Sequence, residues 1–160
     1  KQSAACWALG VVEVEEIDRL NILQASLLAM VKALAGLSSK ADCALIDGNQ
    51  TIPAALFRIG EFSNGRLVYQ KTIIKGDQLC LSIAAASIVA KVARDEMMVD
   101  LDKQHPEYGF ATHKGYGCAA HFEALQRYGP SQAHRQSFKP VRDAVIGPKS
   151  HGPLFEYEPQ

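Results

Sequence analysis

The chain has 160 residues, 17 basic and 17 acidic side chains and 48% hydrophobic residues, the balance of one ordinary soluble globular domain with no net charge. No apolar run approaches the roughly 20 residues needed to cross a bilayer, so no helical membrane span is expected, and no secretory signal pattern opens the sequence. Cys6, Cys43, Cys80 and Cys118 are widely spaced, without a C-x-x-C pair, and read as reduced core thiols of a cytoplasmic protein.

In chain order, Cys6 to Val12 reads as a strand. The acidic turn at Glu13, Glu15, Glu16 and Asp18 suits a helix N-terminus. Ile17, Leu20, Leu23, Leu27, Met30, Val31 and Leu34 follow helical spacing, and Gly36 is placed to cap that helix. Cys43 to Ile46 is apolar throughout, as expected of a central strand covered on both faces. Leu56 to Phe62 reads as a strand, Asn64-Gly65 as a hairpin turn, and Leu67 to Ile74 as the following strand. Ser82 to about Met98 reads as a helix whose small side chains predict tight packing on the sheet. Gly117 to Tyr128 reads as another helix, with Cys118, Phe122 and Leu125 on one side. Gly129-Pro130 stops it, and Pro130 is placed to open a helix at Ser131. The stretch 147–160 has no periodicity and reads as a mobile tail. The chain starts at Lys1 rather than Met and begins almost at once with strand-like residues, which reads as a piece of something longer.

Two aspartates carry the chemistry. Asp47 closes Ala44-Leu45-Ile46-Asp47-Gly48-Asn49 and Asp77 closes Ile73-Ile74-Lys75-Gly76-Asp77, each where an apolar strand runs into a glycine-marked turn. Open α/β sheets do their chemistry outside the carboxyl ends of their strands, so carboxylates there point to a shared metal-binding rim. Read singly, Asp47 is equally a turn residue of an Asp-Gly-Asn sequence, and Asp77 a helix cap or loop acid. From Lys103 to Lys149 there are seven basic against three acidic residues, whereas residues 1–102 hold ten basic and twelve acidic. An acidic, metal-holding half beside a basic half suits a protein that grips a polyanion; scatter of this size is also ordinary.

Together with Ser82-Ile83-Ala84-Ala85-Ala86-Ser87-Ile88-Val89-Ala90-Lys91-Val92-Ala93-Arg94-Asp95 and His113-Lys114-Gly115-Tyr116-Gly117, these strings closely resemble the type 2 ribonucleases H, bacterial ribonuclease HII in particular. The resemblance runs from about Cys6 to about Val141. It implies an α/β fold: a ribonuclease H-like central mixed sheet flanked by helices over residues 1–100, a helical C-terminal part of the same domain over 101–146, then the tail. It further implies a metal-dependent endonuclease that cleaves the RNA strand of RNA–DNA hybrids, and single ribonucleotides in duplex DNA, to 5′-phosphate and 3′-hydroxyl products. On this resemblance Asp47 and Asp77 are two of four acidic ligands to Mg²⁺ or Mn²⁺ and the catalytic residues. Tyr116 is the tyrosine that stacks near the ribose at the cut, and Lys114 a substrate contact. A monomer in the cytoplasm, with nucleic acid as its partner and no membrane, is expected.

The sequence departs from the family at its first strand. The consecutive Asp-Glu ligands within a Gly-Arg-Gly motif occur nowhere in it, and Cys6 to Val12 resembles the family's third strand rather than its first. The alternative reading is therefore a catalytically inactive hybrid-binding fragment. A phosphatase with Asp47 as nucleophile would need an Asp-x-Asp pair, which Asp47-Gly48-Asn49 does not supply. Lys91, Arg135 and Lys139 either meet phosphates or serve the fold and solvent, and Asp95, beside Arg94, reads as an ion-pair residue. His113, Cys118 and His121 lack the paired ligand turns of a zinc site.

Overall fold

The computed structural model describes residues 4–58 and 68–146. The Asn64-Gly65 turn, most of the expected Leu56–Phe62 strand and the tail from Gly147 lie outside those residues. Two compact units divide the chain, Lys1–Met97 and Met98–Gln160. Each has its own apolar cluster.

The first unit opens with an extended segment rather than the expected strand. Residues 6–12 pair with no strand among the described residues. They run instead against a helix: a Cβ added at Gly10 would lie 1.8 Å from the Ala29 carbonyl oxygen, so only glycine permits that approach. The expected single helix is two, α1 (Val14–Leu20) and α2 (Ile22–Ala35), broken at Asn21. Asn21 adopts φ 74° and its side chain accepts from the Gln24 backbone N–H at 3.1 Å, so one residue both ends the first helix and caps the second. Lys32 on α2 reaches back to Glu16 on α1 at 3.0 Å. Gly36 caps α2 as expected, its N–H bonding the Lys32 carbonyl.

Strands β1 (Cys43–Asp47) and β2 (Tyr69–Ile73) pair in parallel, with Cys43 opposite Tyr69 and Asp47 opposite Ile73. Ile46 packs with Leu27, Val31, Ile52, Leu56 and Phe57. The opposite face of β1 is open, with Leu45 41% exposed, so the strand is covered on one side and not on both. Its alternation follows from the pleat: only side chains pointing toward α2 find apolar partners. A 3-10 turn occupies Leu56–Arg58, where a strand was expected to begin. Gln70 of β2 ties down the chain ahead of that turn: its amide accepts from the Ile52 N–H at 2.7 Å and donates to the Ile52 carbonyl at 3.0 Å.

After β2, Lys75 adopts the left-handed conformation and turns the chain into a short helix, α3 (Gly76–Leu79). Helix α4 (Leu81–Gln104) then runs longer than its sequence pattern predicts. Its expected tight packing is not found. Ile83 is buried, but Leu81 is 85% and Ile88 65% exposed. Near the first turn of α4, Ile83 lies against Gly76 of α3.

In the second unit a 3-10 turn at Pro106–Tyr108 leads into α5 (Phe110–His113), followed by α6 (Ala119–Tyr128) and α7 (Lys139–Ile146). Tyr108, Phe110, Ala124, Leu125 and Val141 form its core. The inward face of α6 is His121, Ala124 and Leu125, not Cys118, Phe122 and Leu125. Cys118 is the residue that precedes the helix, and Phe122 is exposed. Gly129 ends α6 at φ 74°, as expected of its position. Residues 131–134 make turns instead of opening a helix. The His134 N–H donates to the Ser131 carbonyl at 3.1 Å, closing a single turn that no helix continues. All four cysteines are free thiols, but none is buried and Cys43 is exposed, so the expectation of core thiols fails. Cys43 begins β1 on its open side.

Candidate active site

Parallel pairing puts the ends of β1 and β2 side by side, and both carboxylates follow from it. Asp47 is the last residue of β1. At the end of β2 the Gly48 N–H donates to the Ile73 carbonyl at 3.0 Å, and Lys75 then reverses the chain. That reversal aims the Gly76 N–H at Asp47, whose Oδ1 accepts it at 2.7 Å. Gly76 is buried, and a Cβ there would meet Ile83 at 2.6 Å and Asp47 Oδ1 at 3.3 Å. The next residue, Asp77, stands exposed in the first turn of α3. One hydrogen bond thus links the Asp47 carboxylate to the residue adjoining Asp77, so the two acids occupy the same strand-end rim. Carboxylate oxygens are the donors a hard divalent cation takes. Among the described residues no group of three His, Cys, Asp or Glu side chains converges to hold a metal ion.

Further along α4, Lys91 pairs with Asp95 one turn on. Asp95 is the ion-pair residue expected, with Lys91 as its partner.

The second unit carries the other two residues singled out. Lys114 follows α5 at φ 53°, and its ammonium donates to the Ala111 carbonyl at 2.6 Å. It therefore spends one of its donors closing the end of α5. Tyr116 is 62% exposed, with its backbone N–H donating to the His113 carbonyl at 2.9 Å. Its own carbonyl meets His121 Nδ1 at 3.0 Å. Arg135 lies over the Phe138 ring at 5.0 Å, and Lys139 opens α7, exposed.

Sequence reasoning missed the linked imidazoles of this unit. His121 Nε2 and His134 Nε2 are 3.1 Å apart, and His113 stacks on His121 with ring centroids 4.4 Å apart and planes 13° apart. Burial holds the His121 imidazole below its ordinary value, and burial followed by the charge of His121 pushes His134 down to about 4. Burial, then Glu107, raises Tyr108. The signal was weak: His121 sits among ordinary helix residues, and only the fold brings His134 to it.

The family model described as Ribonuclease HII matches residues 4–141. A ribonuclease HII of Cereibacter sphaeroides is 56% identical over 146 residues, covering 91% of this chain and 64% of the relative. One from Vibrio campbellii is 47% identical over 145 residues, covering 91% and 63%. The chain thus spans less than two thirds of the length of these relatives. The crystal structure of the ribonuclease H2 from Pyrococcus horikoshii OT3 matches with a TM-score of 0.62 at 23% identity, covering 84% of this chain and 66% of that one. The mixed α/β fold is therefore that of a ribonuclease H2. With a family match across most of its length and close relatives of one name, the chain belongs to the ribonuclease HII family.

Proposed function

We propose that this protein is a divalent-metal-dependent endonuclease acting on RNA–DNA hybrids and on single ribonucleotides in duplex DNA, leaving 5′-phosphate and 3′-hydroxyl ends. Family membership supports the reading, and one geometric observation carries it: the bond from Gly76 N–H to Asp47 Oδ1, 2.7 Å long, which sets the first carboxylate next to the turn bearing the second. Asp47 and Asp77 would hold Mg²⁺ or Mn²⁺. When bound, a cation pair of this kind supplies an activated water and offsets charge on the leaving oxygen. The protein's own part is positional. With Oδ1 held by Gly76, Asp47 keeps one orientation and leaves Oδ2 to coordinate. Tyr116 offers an exposed ring against a ribose or base face, where the 2′-hydroxyl separates RNA from DNA. Lys114, whose ammonium bonds the Ala111 carbonyl, would be the basic group that meets a phosphate. The four free thiols accord with a reducing cytoplasm, where the protein would act as a monomer.

The second reading is a hybrid-binding chain that does not cut. It is favoured by the incomplete metal shell among the described residues. A duplex holding one ribonucleotide, incubated with the chain and Mg²⁺ or Mn²⁺, separates the two. Cleavage 5′ of the ribonucleotide supports the enzyme, and salt-sensitive binding without cleavage supports the binding module. In the full-length protein Asp47→Asn keeps an oxygen for Gly76 and removes the charge. Turnover should fall at least about a thousandfold with hybrid affinity nearly unchanged. Retained turnover would remove Asp47 from the metal site.

A further inference from the structure

Tyr116 combines an exposed ring with a backbone held at both polar groups: its N–H by the His113 carbonyl, its carbonyl by His121 Nδ1. The second tether is the end of a longer chain. The Ser131 backbone N–H points at His134 Nδ1 at 3.0 Å, with Ser131 Oγ 2.9 Å from the same nitrogen. His134 Nε2 faces His121 Nε2 at 3.1 Å, and His121 Nδ1 faces the Tyr116 carbonyl.

The two ends of this chain fix every proton in it. A backbone N–H only donates, so His134 Nδ1 is an acceptor and the neutral ring carries its proton on Nε2. That proton is donated to His121 Nε2, which must be bare. The His121 proton then lies on Nδ1, where the Tyr116 carbonyl, which only accepts, requires it. Assignment from the carbonyl end gives the same answer. His113 is fixed in the same way, accepting from the Gly115 N–H at 3.2 Å and facing the Tyr108 carbonyl with Nε2 at 2.7 Å. Its ring lies flat on His121.

We propose that Ser131, His134 and His121 form a directed hydrogen-bond relay that fixes the Tyr116 backbone, making His121 and His134 positioning residues for the tyrosine ring. The proposal rests on the reading of Tyr116 as the residue that meets the sugar of the nucleic acid. Holding the backbone before binding reduces the ordering cost of engaging the ring, so the relay acts on substrate affinity more than on the chemical step. Burial favours the neutral state it needs, holding both imidazoles below their ordinary value. The titratable groups facing the pair are His113 on His121, with Tyr108 and His105 beside His134. His105 itself lies 3.7 Å from Glu107.

Nitrogen-15 NMR of the imidazoles in the 160-residue chain at pH 7 tests the relay without substrate. The expected result is His121 protonated on Nδ1, the minor tautomer of a free histidine side chain, and His134 on Nε2; His121 protonated on Nε2 would overturn it. Two variants of the full-length protein test the positioning. His121→Asn places an amide donor where Nδ1 was, whereas His121→Gln places its amide where Nε2 was, toward His134, and leaves no donor for the Tyr116 carbonyl. KM for a duplex with one ribonucleotide should rise about tenfold in His121→Gln and less than about threefold in His121→Asn, with kcat changed little in both. Equal effects in the two variants would leave His121 a packing residue and overturn the proposal. If wild-type protein neither binds nor cuts the duplex, the functional reading fails and the tautomers decide the relay alone. They also decide it if His121→Gln does not fold.

Discussion

Asp47 was singled out by the strings it shares with the family, since Asp-Gly-Asn by itself reads equally as turn chemistry. Its partner was not, since the Gly76 N–H lies 29 positions away and only strand pairing brings it close. The buried histidines show the same division. His121 and His134 look like ordinary polar residues, yet each is buried with its ring nitrogens bonded. A proton on either replaces an acceptor by a donor facing another donor. Because the folded His134 value of about 4 lies below the ordinary 6.5, its neutral form is favoured by folding. Its contribution to stability is full above about pH 6.5 and is lost progressively as pH falls toward 4. Urea midpoints of the chain should fall across that window, and His134→Gln should flatten the slope. An unchanged slope in the variant would assign the acid sensitivity to other groups.

At the scale of elements, apolar periodicity located α2, β1, β2, α4 and α6, because burial of one face is what makes a helix or strand worth forming. It did not locate the break at Asn21. The Asn21 and Gln24 pair is a capping signature, but it was masked by a hydrophobic repeat that continues across it. The alternating residues 6–12 read as a strand because their pattern is a strand's, whereas a ladder also needs a neighbour. What holds this segment is backbone contact with α2 at Gly10. Gly10→Ala would press a methyl group into the Ala29 carbonyl, 1.8 Å from its oxygen, and should cost at least about 2 kcal/mol in urea unfolding. A cost under about 0.5 kcal/mol would mean that the segment does not pack on α2 in solution.

At the scale of the molecule, the +4 balance of residues 103–149 belongs to a chain of zero net charge. On the proposed function, affinity for a hybrid would draw on local charge, with Lys114, Arg135 and Lys139 as candidates. If phosphate contacts dominate, raising salt from about 50 to 200 mM should weaken hybrid binding by roughly tenfold or more, with a linear dependence on the logarithm of salt concentration. Lys114→Ala should reduce that slope by about one unit if its ammonium meets a phosphate; an unchanged slope would confine Lys114 to its bond with the Ala111 carbonyl.

By itself the sequence determined the family, the α/β class, the strand-end carboxylates and the tyrosine motif. These are carried by short strings whose chemistry depends on neighbouring residues. Tertiary structure alone decided which groups hold those residues in place: Gly76 for Asp47, Gln70 for the chain at Ile52, and the His134–His121 pair for Tyr116. It also decided that the β1 face and much of α4 stay exposed. The physical reason is common to all of these. A hydrogen bond or a buried face is a property of two surfaces meeting, and residues 29, 18 or 13 positions apart carry no local mark of the partner that the fold brings to them.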